Sequence, residues 1–417
     1  MSDNAFTKKD LIKMTNEPSE WQYQRIMAKI MEAINWTDGD IVICFSGGKD
    51  SALLLDMYCD IIKLSNKTDR PVKVAWANTT NETAAMKSYI PWFIHRCEEK
   101  YGVAIDFHEV KPANGDNIIT VLKREGLPFI SKMVSSILRK VTKDMESKGV
   151  SYQDIKDLHH PTIACRDALR EMGLSNTTVL ALTGWSCKRN DFGTEFILPT
   201  QWMPLLNIKT ITGKDIRFSE KCCSILKKEP ISRLNYPNMM TGEQAVESKA
   251  RESQWLKTGC NYRFSNGAIR SKPLGSVSLE TVLYSLQYRE VPICSDYGEI
   301  LYCEESKCLQ CSKAQRTGCS LCGFGIKFDP MRFVRLQETE PAKVAFAFKP
   351  MEKGGLGYRE VCQFTNEYCK TSIVIPEVNE CCPSVVYLTV REHFRLLLNN
   401  AVSRQYGQVK SSRSPLK

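Results

Sequence analysis

The run Ser46-Gly47-Gly48-Lys49-Asp50-Ser51 has the residue types of a phosphate cradle. Gly47 and Gly48 let backbone N–H groups approach phosphate oxygens with no Cβ in the way. Ser46 and Ser51 add hydroxyl donors, and Lys49 adds a mobile point charge. Asp50 is better suited to orienting the loop, or to holding a Mg2+ ion, than to touching phosphate. The spacing is too short for GxxxxGK[ST] and lacks the pattern GxGxxG.

A second chemistry lies in the 18 cysteines. Nothing in the sequence points to secretion, so clustered cysteines suggest metal binding or redox work rather than a disulfide framework. Cys44, Cys59, Cys97, Cys165 and Cys187 stand singly among apolar neighbours and are expected in the core. Between Cys303 and Cys322 the density is too high for that. Two C-x2-C pairs occur there, Cys308/Cys311 and Cys319/Cys322. Taken alone they suggest a zinc knuckle, because tetrahedral thiolate sites favour Zn2+ or iron–sulfur.

The elements around these residues must position them. Asp40–Phe45 is a short apolar run, expected as a buried strand that feeds the Gly-rich turn, and Ala52–Leu64 is a helix. A helix N-terminus at that turn favours anions. Helical spacing over residues 20–35, a strand Val72–Ala77 and a strand Val103–Val110 complete an alternating pattern. It predicts an α/β fold with a parallel sheet covered by helices on both faces. Residues 118–176 look like a polar helical insertion, and Thr177–Trp185 is expected as another strand. The organisation expected is an N-terminal helical segment (1–36), a nucleotide-binding domain (37–210), a cysteine-rich region (211–345) and a C-terminal extension (346–417).

The net charge of +10 calls for an anionic partner, a nucleotide first and a nucleic-acid surface second. The basic tail VKSSRSPLK is expected to be a solvated terminus. No stretch approaches the ~18 apolar residues of a membrane span, and the N-terminus has no signal-type apolar core, so a cytoplasmic protein without a membrane partner is expected. His95, His108 and His393 need only core or surface roles, and His159-His160 lacks metal-site spacing.

In its strand–loop–helix context, SGGKDS resembles the loop of the ATP-pyrophosphatase and phosphoadenosine-phosphosulfate (PAPS) reductase superfamily. The resemblance continues through Asn78-Thr79-Thr80-Asn81-Glu82, Glu125-Gly126-Leu127-Pro128, Lys221–Pro230 with its Cys222-Cys223 tandem, and Thr241-Gly242-Glu243 followed by Glu247–Arg251. Lys272-Pro273-Leu274, Val291-Pro292 and Arg316–Cys322 follow in the expected order. It covers roughly residues 37–345 and is nearest to the phage and bacterial members of the reductase family, with the DNA-phosphorothioation sulfurtransferases more distant.

This resemblance implies an adenine-nucleotide alpha-hydrolase-like (PP-loop) sheet. It implies ATP, PAPS or adenylyl sulfate bound by Ser46, Gly47, Gly48, Lys49, Asp50, Ser51, Asn78, Thr79, Glu82, Lys228, Gly242 and Arg316. Lys49, Asp50 and Arg251 become the candidate catalytic residues. It also implies a [4Fe-4S] cluster on Cys222, Cys223, Cys319 and Cys322, with Cys260, Cys308 or Cys311 as substitutes and Zn2+ as the alternative metal. Adjacent cysteine ligands are awkward for a compact zinc knuckle and fit a larger cluster.

One family feature is missing. The ECG[IL]H segment that carries the attacking cysteine of thioredoxin-dependent reductases does not occur, and Asn379-Glu380-Cys381-Cys382-Pro383 is the nearest feature. Sulfonucleotide reduction is therefore weighed against ATP-dependent thiolation of DNA or tRNA with a sulfur-donor protein. A zinc-stabilised nucleotide- or nucleic-acid-binding module is the third possibility.

Overall fold

Short runs rich in β-branched residues form the centre of the molecule. In the computed structural model, which describes residues 5–377, Ile41–Cys44 (β1), Val72–Ala77 (β2) and Ile105–Val110 (β3) pair in parallel. The strand Asn238–Thr241 joins the other side of β1 in parallel, followed by Ile269–Ser271 and then, antiparallel at the edge, Asn261–Arg263. The fold is thus α/β, with a mainly parallel central sheet flanked by helices. Strands from both sides of position 210 enter this one sheet, and residues up to Pro376 belong to one unit.

Register decides which side chains meet. Ile43 is level with Val74 and Met240, and Val74 with Phe107. Alternation then sends Ile41, Ile43, Phe45, Val72, Val74, Trp76 and Met240 to one face. After a first helix, α1 (Lys8–Thr15), the helices α2 (Ser19–Asn35), α3 (Lys49–Leu64), α4 (Ala84–Tyr101) and Leu279–Tyr288 supply the apolar residues of this core. Cys44, Ala75, Ala77, Met239 and Thr241 face the other way and line an open cleft, and the short helical stretch Ser224–Ser232 lies against β2 there.

Of residues 177–185, expected as a strand, only Trp185 is in one, the two-residue Trp185–Ser186. Asn176–Thr183 is a helix, N-capped by Ser175 and closed by Gly184 at φ 79°. Its β-branched residues suggested a strand, but tertiary contacts override that weak preference. Asp144 accepts hydrogen bonds from Ser175 N–H (2.8 Å) and Thr178 Oγ1 (2.5 Å), tying the helix to Lys132–Lys148. A second core, away from the sheet, gathers Phe129, Phe333, Phe348 and Tyr358 with ring centroids 5.3–6.4 Å apart.

Of the cysteines expected in the core, Cys59, Cys97 and Cys165 are buried. Cys44 is half-buried on the cleft floor, and Cys187 is exposed beyond Trp185–Ser186, which pairs with Asp191–Phe192. His393, the Cys381-Cys382 segment and the basic tail lie outside the described residues. No helix among the described residues is long and apolar enough to cross a membrane.

One buried charge ties the helices together. Asp56 of α3 is fully buried and accepts from Arg289 Nε (2.6 Å), Lys100 Nζ (3.2 Å) and Arg96 NH1 (3.3 Å). Removing one partner of a buried charge network leaves the others uncompensated. Asp56→Ala is therefore expected to cost about 3–5 kcal/mol, read as a lower urea midpoint with an unchanged slope.

Candidate nucleotide and cysteine site

The Gly-rich loop is shaped by its own serines. Ser51 Oγ donates to Gly48 O (2.8 Å) and accepts from Ser46 N–H (3.2 Å), so the chain doubles back between β1 and α3. Gly47 takes φ 74°, and a Cβ there would overlap the Met86 sulfur. The helix opens at Gly48, which has no side chain to cap it. Tyr297 Oη accepts from Lys49 N–H (3.2 Å) and also from Thr317 Oγ1 (2.6 Å). Burial and the Asp50 charge push the Tyr297 phenol up, so it stays protonated at neutral pH. Lys49 itself is buried, its ammonium 3.0 Å from Asp50 Oδ1. At Gly242 the adjacent strand end passes so close that a Cβ would lie 2.9 Å from the Asp50 carbonyl oxygen.

The segment after β2 builds the opposite wall. Asn81 O accepts from Ser320 N–H (2.7 Å), and Asn81 Oδ1 accepts from Ser320 Oγ (2.7 Å) and Leu321 N–H (3.3 Å). Glu82 bonds back to Thr79, N–H at 3.1 Å and Oγ1 at 2.7 Å, which fixes the turn. The turn therefore grips Cys319–Cys322, and Tyr358 Oη (2.6 Å to Leu321 O) and Arg332 (3.1 Å to Cys319 O) hold it from behind.

The Gly126-Leu127-Pro128 turn acts as a splint for both cysteine segments. Leu127 N–H donates to Arg217 O (2.7 Å), and Leu127 O accepts from Ser219 N–H (2.9 Å), just ahead of Cys222. Pro128 O and Ile130 O accept from Gly323 N–H and Gly325 N–H, each at 2.8 Å, just after Cys322. Phe129–Ile130 and Gly323–Phe324 form a two-residue parallel ladder. One short stretch thus sets the relative position of the two pairs.

Beyond Cys223 the helix widens into a π-turn over Ser224–Lys228. With its i→i+5 bonding, residues four and five positions on stay on one face, whereas an α-helix would carry the second well away. Cys223, Lys227 and Lys228 accordingly share the cleft wall. The four thiols are electrostatically linked. Cys222 is pushed well up by its hydrogen bond to Cys223, by burial and by the charges of Cys322 and Cys319. Cys223 is held low by that same bond and by Lys132, Lys227 and Lys228. Burial pushes Cys322 up to about 11, and the Cys319 charge, followed by Cys223 and Cys322, keeps Lys227 charged against its burial.

Among the described residues, no group of three or more His, Cys, Asp or Glu side chains is arranged to hold a metal ion as it stands. The four thiols nevertheless lie near enough to influence one another electrostatically, and cysteine thiolates are the donors that an iron–sulfur cluster takes. A knuckle built on Cys308 and Cys311 fits poorly. Both lie on one strand, three positions apart, and so project to opposite faces. Cys311 is buried in the sheet core, and Cys260 sits in a separate cluster, accepting from Trp255 Nε1 (3.4 Å).

The loop and the cysteines meet in a cleft of about 690 Å3. Of the residues expected in the site, Ser46, Gly48, Asp50, Ser51, Glu82, Lys228, Gly242, Arg251, Cys223 and Cys319 line it. Gly47 and Lys49 support the loop from behind. Asn78 donates to Glu109 Oε1 (2.7 Å), and Thr79 is buried against Glu82, so both stand behind the wall. Arg316 is largely exposed, 3.7 Å from Glu247 Oε1, while Arg251 pairs with the other oxygen of Glu247. Lys132, Arg270 and Tyr297 also line the cleft and were missed. Lys132 follows the Gly-Leu-Pro turn closely enough to have been suspected, whereas Arg270 and Tyr297 carry no sequence signal.

No protein-family model matches the chain, and no curated protein does. Among solved structures the chain is similar to the phosphoadenylyl-sulfate (PAPS) reductase from Candida auris in complex with phosphate, at 12% identity and a TM-score of 0.30, covering 70% of this chain and 91% of that one.

Gly47→Ala tests how the loop is built. Gly102 also has positive φ (64°) but has open space around its Cα. Gly102→Ala is expected to cost about 1 kcal/mol, from backbone strain alone. Gly47→Ala should cost at least about 2 kcal/mol more, because Met86 must move. Urea unfolding of the two variants checks the difference.

Proposed function

We propose that the chain is an adenine-nucleotide-binding enzyme of sulfur chemistry that reductively cleaves a sulfonucleotide, PAPS or adenylyl sulfate. The observation that carries this reading is the shared cleft, which the phosphate loop lines together with one cysteine of each pair, Cys223 and Cys319, and with Lys132, Lys227 and Lys228. Ser46, Ser51 and the N-terminus of α3 would bind phosphate oxygens. Lys228 and Arg251 would neutralise their charge, and Asp50, already paired with Lys49, would orient the loop or accept a Mg2+ ion. Glu82 and Gly242 would shape the walls around the nucleoside.

Cys222, Cys223, Cys319 and Cys322 would hold a [4Fe-4S] cluster, which would supply electron-transfer chemistry beside the anion site, its anionic charge offset by Lys132, Lys227 and Lys228. The π-turn brings Lys227 between these thiols and the cleft, where its charge would couple the two. Free thiols in such number suit a reducing compartment such as the cytoplasm.

The absent ECG[IL]H segment favours a second reading. In it, the same loop binds ATP, pyrophosphate leaves, and DNA or tRNA is adenylylated for thiolation. The opposed faces of Cys308 and Cys311 speak against a zinc-stabilised binding module.

Anaerobically purified protein should contain about four irons per chain, and Cys319→Ser should lose most of them. With a dithiol protein such as thioredoxin, sulfite should be released from PAPS or adenylyl sulfate. Lys228→Ala and Arg251→Ala should each weaken nucleotide binding about tenfold or more, as expected for a lost charge-assisted contact. Pyrophosphate release stimulated by nucleic acid, with no sulfite formed, would replace this reading with the second.

A further inference from the structure

The hairpin Ile300–Cys303/Cys308–Cys311 carries two cysteines outside the cluster set, and its register places them face to face. Cys303 is the direct cross-strand partner of Cys308, at the end of the ladder beside the turn 304–307. Directly opposed residues of an antiparallel pair have Cα atoms about 4.5–5.5 Å apart. A disulfide needs about 4.4–6.8 Å. Their side chains also point to the same face, because opposed residues share one. Ser306 marks the shared space: its hydroxyl is 3.2 Å from Cys308 Sγ, and it is near enough to Cys303 to help hold that thiol below its usual range. Both cysteines are free thiols and only half-buried, whereas the other cysteine of the hairpin, Cys311, is buried.

We propose that Cys303 and Cys308 form a reversible thiol–disulfide couple that exchanges two electrons with a low-molecular-weight disulfide such as glutathione disulfide. The Cys303 thiolate attacks one sulfur of the oxidant, breaking its S–S bond and releasing one glutathione thiol. Cys308 then attacks the mixed disulfide, forming the Cys303–Cys308 bond and releasing the second. The cysteines are oxidised, the glutathione disulfide is reduced, and the two cysteine protons end on the two glutathione thiols. Cys303 is the natural attacker, since Ser306 and the N–H groups of Ser306 and Glu305 stabilise its thiolate. The hairpin is anchored beside the phosphate loop, with Lys313 N–H donating to Tyr297 O at 3.0 Å. The couple does not depend on the sulfonucleotide reading.

The test equilibrates the full chain anaerobically across ratios of reduced to oxidised glutathione, traps thiols by alkylation, and digests with trypsin. Cleavage after Lys307 separates Cys303 from Cys308, so their disulfide appears as fragment 290–307 joined to fragment 308–313. With reduced glutathione in large excess the joined fragment should be under about a tenth of the total, and with the disulfide in excess it should dominate. It should vanish in Cys303→Ser and in Cys308→Ser. Cys294 and Cys311 lie in the same two fragments. Fragmentation of the wild-type product must therefore place the bond at Cys303 and Cys308, which decides the matter even if a variant misfolds. No joined fragment at any ratio, or a bond placed on Cys294 or Cys311, overturns the proposal.

Discussion

The candidate site depends on one side chain, Asn81. It sits at the end of the turn after β2 and bonds a loop 239 residues further along the chain. Four hydrogen bonds from Ser320 and Leu321 converge on its carbonyl and side-chain oxygens, and Asn81 is almost wholly buried. Buried polar groups are worth little when satisfied and cost much when stranded, so such a clamp specifies one arrangement more than it adds stability. The wall of the phosphate cleft and the turn of a cysteine pair are thereby one object. The Gly126–Ile130 splint extends the same rigidity to the other pair.

Electrostatics follow from that geometry. Bringing four thiols together in a half-buried space would be unfavourable as they ionise, and the nearby lysines offset this. Lys227 is the sharpest case, a half-buried ammonium held charged chiefly by Cys319 and then by Cys223. The same positive field reaches the cleft through Lys132, Lys228, Arg251 and Arg270. Three of its carboxylates, Asp50, Glu243 and Glu247, are paired with cations; burial would raise Glu243, but Lys272 at 2.5 Å and then Arg251 hold it ionised.

Much of this was legible in the sequence, for identifiable reasons. SGGKDS announces itself because only glycine fits the Gly47 conformation, and the three central strands announce themselves by apolar β-branched runs. Asn238–Thr241 was not read as a strand, because a four-residue central strand containing two methionines has no visible period. Asn176–Thr183 was misread because its β-branched residues argued against the caps at Ser175 and Gly184. Residue types also could not show that Asn78 and Thr79 stand behind the cleft wall while Lys132 and Tyr297 stand in front. That depends on which way each loop turns, and long-range bonds decide it.

The 239-residue reach of the Asn81 clamp also bears on how the protein is made. A chain emerging from the ribosome exposes β1, β2 and the phosphate loop first, and these can begin to pair on their own. Half of the sheet's six strands come after residue 237, and the last is complete only once residue 271 has been synthesised. The cysteine wall must wait for Ser320, and its tether for Tyr358. For much of synthesis the nascent protein therefore holds unsupported thiols next to a half-built anion site. Completion of the site is a late event of translation, well after the central strands have begun to pair.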